Sequence, residues 1–184
     1  MSSSSDASSP VATEYVVLLS EDGRPIGTAD KSTVHTTDTP LHLAFSCHVV
    51  DDDGRVLLTR RALGKRAWPG VWTNSFCGHP GPGEDPAEAI ARRAEQELGT
   101  RVDGIAESVP DFRYRAVDDS GVVENEICPV FTARIRADLN PRADEVCAYR
   151  WARPDDVRRA VDATPFVFSP WFVAQTPRMD LYSR

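Results

Sequence analysis

No apolar run in the sequence approaches the length of a membrane span. The first thirteen residues, MSSSSDASSPVAT, lack the basic start and apolar core of a secretory signal. Both absences point to a cytoplasmic protein with no membrane partner. A surplus of positive charge is also missing, since 21 Lys and Arg face 28 Asp and Glu for a net charge of −7. General nucleic-acid binding normally needs a basic surface, so that class is set aside. Cys47, Cys77, Cys128 and Cys147 show neither CxxC spacing nor a framework pattern. They read as four reduced thiols rather than disulfides.

What is present suits one soluble domain: 184 residues, 41% hydrophobic and 27% charged. Residues 1–13 read as a disordered serine-rich tail and residues 14–184 as the folded domain, with no internal repeat. Apolar and β-branched runs predict strands at 14–20, 26–30, 43–50, 56–59, from 105 onward, at 110–115, at 122–135 as one long strand, and at 146–151. Asp53-Gly54 suits a tight turn, which explains the acidic triplet before it more simply than a metal does. Asp85 as N-cap, Pro86 at the first position and Gly99 as terminator predict a helix over 86–98, its apolar stripe Ile90, Ala91, Ala94 and Leu98. A second helix is predicted over 155–162. Cys47 and His48 are neighbours on a strand, so one should enter the core and the other face solvent.

Chemistry concentrates in the stretch from Trp72 to Pro80. Extended backbone there would point Cys77 and His79 the same way, an acid beside a metal ligand, with Gly78 allowing close approach to a ligand. Arg60, Arg61, Lys65 and Arg66 form a basic cluster in an acidic chain, suited to a solvated loop or to phosphate oxygens. Trp68 and Trp72 are core plugs or pocket walls. Arg93 and Glu97 lie four apart on the helix, either as a surface ion pair or as holders of an anion and a hard cation. Glu124 and Glu126 share a strand face and repel unless a cation or proton lies between them. With His35, His42 and His79 they make a nitrogen-and-oxygen set that suits Mn, Zn or Fe better than Ca.

Long stretches of the chain resemble a known family: Leu41 to Ser46, Arg60 to Leu63, Ala67 to Ser75, Cys77 to Pro80, Asp111 to Ala116, Val123 to Glu126 and Phe168 to Trp171. They are similar to the type I isopentenyl-diphosphate isomerases of the Nudix superfamily, over roughly Tyr15 to Trp171. Gly78, Glu84, Arg92, Glu97 and Gly99 match the Nudix signature, while Arg93 and Gln96 stand where its hydrolase form has glutamates. That departure should weaken a water-activating metal cluster and favours isomerase over hydrolase.

The resemblance implies a single-domain Nudix-type α/β/α sandwich with a mixed β-sheet. It also implies interconversion of isopentenyl and dimethylallyl diphosphate, a step of isoprene biosynthesis, through a tertiary carbocation. Cys77 and Glu126 would be the opposed acid and base, Tyr114 would assist Glu126, and Trp171 would offer its ring to the cation. Lys31, Arg61, Lys65 and Arg93 would hold the diphosphate. Mg²⁺ would join it through Glu97 and the Cys77 carbonyl, and Mn²⁺ or Zn²⁺ would occupy the site of His35, His42, His79, Glu124 and Glu126. The expected partner is this small diphosphate alone, on a monomer or weak dimer. Two rivals are a Nudix hydrolase of nucleoside diphosphate derivatives and a binding protein that kept the pocket.

Overall fold

The computed structural model describes residues 14–183, so the tail predicted at 1–13 lies outside the described residues. Strand β1 (Tyr15–Leu19) turns through Gly23 into β2 (Pro25–Asp30), and the irregular segment after it ends in β3 (His42–Leu43). β4 (Phe45–Val50) follows after one residue, then β5 (Val56–Arg61), β6 (Trp72–Thr73), β7 (Phe76–Gly78) and helix α1 (Pro86–Leu98). The rest comprises β8 (Val102–Val109), β9 (Arg113–Val117), β10 (Val123–Ile127), β11 (Val130–Ile135), β12 (Val146–Ala152), α2 (Pro154–Ala163) and α3 (Pro170–Gln175). No helix among the described residues is long and apolar enough to cross a membrane.

The long strand predicted over 122–135 is in fact two. Proline cannot donate to a ladder, and at Cys128-Pro129 the chain leaves a five-stranded sheet, ordered β2-β1-β3-β10-β9, for a second one, ordered β12-β5-β4-β11-β8. The break at Ala44 between β3 and β4 does the same beside it. β3 lies parallel to β10 and β4 parallel to β11, so both strand pairs cross together. Ala44 N–H donates to Ile127 O at 2.9 Å and Ser46 N–H to Pro129 O at 3.1 Å, which carries the ladder through the seam.

The second sheet, with β6 on β5 and β7 on β4, is covered on both faces. Phe45, Cys47, Val49 and Leu57 meet Ile90, Ala94 and Leu98 of α1 on one side. Val56 and Leu58 meet Val157, Phe172 and Tyr182 on the other. The architecture is the expected α/β/α sandwich, with two mixed sheets instead of one. Each large side chain buried in these layers contributes about 1.5–3 kcal/mol.

Coverage on both faces corrects two expectations. His48 does point away from Cys47, but under α3 rather than into solvent, and both are fully buried. On α1 the buried stripe is Ala89, Ile90, Arg93, Ala94, Glu97 and Leu98, whereas Ala91 is exposed. Arg93 and Glu97 are therefore no surface pair. Local signals held well here: the Asp85 side chain accepts from Ala87 N–H at 2.8 Å, and Gly99 ends the helix at φ +58°.

Candidate active site

At the seam between the sheets lies a cavity of about 280 Å³, at the small end of ligand pockets (about 300–1,000 Å³). β7 directs Cys77 into it, with His79 just beyond; β9 adds Tyr114, β10 adds Glu124 and Glu126, and α3 adds Trp171. His35, Lys31, Arg61, Lys65, Arg93 and Glu97 complete the predicted set. Of the residues given catalytic, diphosphate-binding or metal roles, His42 alone is not on the wall, and of the others singled out from sequence Arg60, Trp68 and Trp72 stay off it. His42 is fully buried behind Glu126, its register partner across the β3–β10 pair.

His35, His42, His79 and Glu126 bring one ligand atom each to within 4.8 Å of one another. His35 Nε2 lies 3.0 Å from Glu124 Oε2, and the Glu126 Oε1 atom lies 3.3 Å from His42 Nε2 and 3.1 Å from His79 Nε2. His42 Nδ1–H donates to Pro40 O at 2.9 Å, which in the neutral ring leaves the Nε2 lone pair facing inward. His35 Nε2, His42 Nε2, His79 Nδ1 and Glu124 Oε2 are buried without a hydrogen bond. Buried polar atoms are rarely left so unless something else binds them. Burial pushes His79 down to about 4, so its ring is neutral at pH 7. Three imidazoles and two carboxylates with unclaimed atoms fit a divalent metal ion.

Burial also acts to raise both carboxyls. Glu124 does sit above its ordinary range, pushed further by the Glu126 charge, whereas the His42 ring beside it and a hydrogen bond from His79 Nε2 hold Glu126 well below. The other Glu126 oxygen accepts from Tyr114 Oη at 2.8 Å. Burial pushes the Cys77 thiol up to about 12, against hydrogen bonds from Ser46 and Asn74 that pull it down. Trp171 donates its indole N–H to Asn74 Oδ1 at 3.1 Å and meets Tyr114 and Trp68 with ring centroids 5.6 and 5.3 Å away. Trp68 is thus a core plug packed behind Trp171, off the wall of this cavity, and is held at φ +45°, a conformation few non-glycine residues adopt.

The four predicted cations are gathered, and three of them are held by carboxylates, of which Glu14 and Glu145 were unnoticed in the sequence. Lys31 pairs with Glu14 at 2.5 Å, Lys65 with Glu145, and Arg93 with Glu97 and, at 3.5 Å, Glu145. Arg61 donates to Ala67 O and Trp68 O, and its guanidinium lies 5.5 Å from the Trp171 ring centroid. Arg66 also reaches the wall, whereas Arg60 is exposed and bonds Gly70 O. Glu14 and Glu145 carry no local pattern. One signal was available for the cations: the chain's two lysines, Lys31 and Lys65, both stand here.

Gly78 lines the cavity and has a packing reason beside the one expected. A Cβ there would lie 2.8 Å from Arg93 Cγ and 2.8 Å from Phe45 Cζ, so packing by itself demands glycine. Gly78→Ala should cost about 1–3 kcal/mol through overpacking and lower the melting temperature by about 2–12 °C. An unchanged melting curve would refute this reading. Glu84 and Arg92 are likewise structural: they bond in two places at 2.7 and 2.8 Å, while Glu84 accepts from Gly81 N–H and Arg92 donates to His79 O.

A NUDIX domain model matches residues 40–172, which include the seam, α1 and most of the cavity wall. The chain belongs to the NUDIX family. Within it, this NUDIX chain groups with the isopentenyl-diphosphate Delta-isomerases. The protein of that name from Leifsonia xyli is 64% identical over 168 residues, covering 90% of this chain and 91% of its own. The one from Clavibacter sepedonicus is 61% identical, covering 91% and 88%. Among solved structures, DR0079 from Deinococcus radiodurans superposes with a TM-score of 0.68 at 16% identity, covering 91% of this chain and 99% of that one. The MutT protein from Methanosarcina mazei gives 0.60 at 21%, covering 79% and 96%. At those identities the structures support the NUDIX fold alone.

Proposed function

We propose that this chain interconverts isopentenyl and dimethylallyl diphosphate by moving a proton on and off the five-carbon tail. The observation that carries the proposal is one small cavity holding a thiol, a Tyr114-bonded carboxylate and four cations. Relatives more than 60% identical that bear the isomerase name support it.

Lys31, Arg61, Lys65 and Arg93 bind the diphosphate oxygens, which displace the carboxylates now paired with Lys31, Lys65 and Arg93. Anchoring the charged end converts remote binding energy into orientation of the tail. When bound, divalent ions supply fixed positive charge: Mn²⁺ or Zn²⁺ held by His35, His42, His79, Glu124 and Glu126, and Mg²⁺ held with the diphosphate by Glu97 and the Cys77 carbonyl.

An isolated alkene is a poor base and takes a proton only from a positioned acid. Proton addition at the terminal methylene leaves a tertiary carbocation; proton loss from the neighbouring methylene moves the double bond. Cys77 and Glu126 act from opposite faces of the tail, one giving and one taking, with Tyr114 in contact with the Glu126 proton. The Trp171 ring, which already accepts the Arg61 guanidinium, faces the carbocation and contributes about 2 kcal/mol when water is excluded. Trp68 and Tyr114 help keep that water out.

Proton NMR of isopentenyl diphosphate with the pure protein, Mg²⁺ and Mn²⁺ in D₂O tests the reading. The vinylidene signal should decay as dimethylallyl methyl signals grow and deuterium enters the product. An unchanged spectrum from folded, metal-loaded protein would sink it. Phosphate release from nucleoside diphosphate derivatives would then argue for hydrolysis.

A further inference from the structure

Behind Cys77 runs a chain of buried polar groups that the reaction above does not use. Tyr182 Oη lies 2.8 Å from His48 Nδ1, and His48 Nε2 lies 3.0 Å from Gln175 Oε1. Gln175 Nε2 donates to Ser46 Oγ at 2.8 Å, and Ser46 Oγ lies 3.2 Å from Cys77 Sγ. Ser46, His48 and Gln175 are fully buried, and Tyr182 is nearly so. Three crossings of more than 120 residues in sequence are spent on this chain.

The donors and acceptors permit one direction. A carbonyl oxygen only accepts, so His48 Nε2 carries the ring proton shared with Gln175. Burial pushes His48 down to about 4, so the ring holds a single proton and Nδ1 accepts from Tyr182. Ser46 Oγ accepts from the Gln175 amide, and its own proton is left for sulfur. Cys128 Sγ is the other sulfur in reach, at 3.5 Å against 3.2 Å for Cys77. Asn74 Nδ2 donates to the Cys77 sulfur from another side at 3.4 Å.

We propose that Ser46 is a positioning residue for Cys77, its hydroxyl aimed at the sulfur by the one-way chain Tyr182–His48–Gln175. A donor fixed in advance strengthens as negative charge develops on sulfur and needs no reorganisation during proton transfer. The proposal rests on the catalytic reading of Cys77, but its test does not depend on turnover alone.

In a Cys147→Ser background, which removes the exposed thiol, iodoacetamide labelling of Cys77 is followed by mass spectrometry. Ser46→Ala should slow labelling about tenfold and lower kcat about 10- to 100-fold with KM within twofold, the range for a lost hydrogen bond to a charged group. Gln175→Glu keeps the shape but only accepts when ionised, so it should turn the Ser46 proton away and give the same two effects. If the protein lacks isomerase activity, the labelling ratio still decides the chain's role. Labelling within twofold of the parent in folded Ser46→Ala would overturn the proposal, whatever happens to kcat. If Gln175→Glu fails to fold, Ser46→Ala decides alone.

Discussion

Cys77→Ala is expected to reduce kcat at least about 10³-fold while leaving KM for the diphosphate nearly unchanged, because general acid–base groups typically contribute 10²–10⁴-fold. The cations of the pocket are untouched by this change, and the polar contacts the thiol gives up are those to Ser46 and Asn74. Glu126→Gln should fall at least as far. It keeps the side-chain volume and a hydrogen bond for Tyr114, but the amide neither holds nor releases a proton at neutral pH. Since Glu126 Oε1 also faces His42 and His79, metal content must be measured alongside the rate. Turnover within tenfold of the wild type in either folded, metal-loaded variant would refute the acid–base assignment. Steady-state kinetics with elemental analysis separates the outcomes.

Features written in local spacing were legible. The Asp85 cap, Pro86 and Gly99 set α1 at its observed ends, and the two-residue period put Glu124 and Glu126 on one face. Features made by long-range contact were not. Nothing near Glu145 in sequence shows that it will meet Lys65 and Arg93, and nothing near His48 shows that α3 will cover it. A strand buried on both faces loses the apolar–polar alternation from which a solvent face is read. Pro129 was a readable warning, since proline inside an apolar run breaks a ladder. What lay beyond reading was that this break and the one at Ala44 stand side by side, and that their crossing creates the cavity.

Loading the histidine–glutamate cluster with Mn²⁺ or Zn²⁺ should raise the melting temperature of chelator-treated protein by about 5–10 °C. The size follows from binding linkage: an ion at 100 times its dissociation constant stabilises the native state by about 2.7 kcal/mol, and each kcal/mol is worth about 2–4 °C in a domain of this size. The direction follows from the site itself. Without an ion, Glu124 and Glu126 repel each other in a buried setting, and four polar atoms around them lack hydrogen bonds. A cation relieves both costs at once, which protonation of one carboxyl relieves only in part. His79→Asn should abolish most of the gain and lower the bound ion below one per chain, because it removes an imidazole from the set while α1 and the diphosphate cations stay in place. Mg²⁺, which prefers oxygen ligands, should not substitute at equal concentration. Equal gains in the wild type and in His79→Asn would place the ion elsewhere, and the unpaired atoms around Glu126 would then need a different explanation.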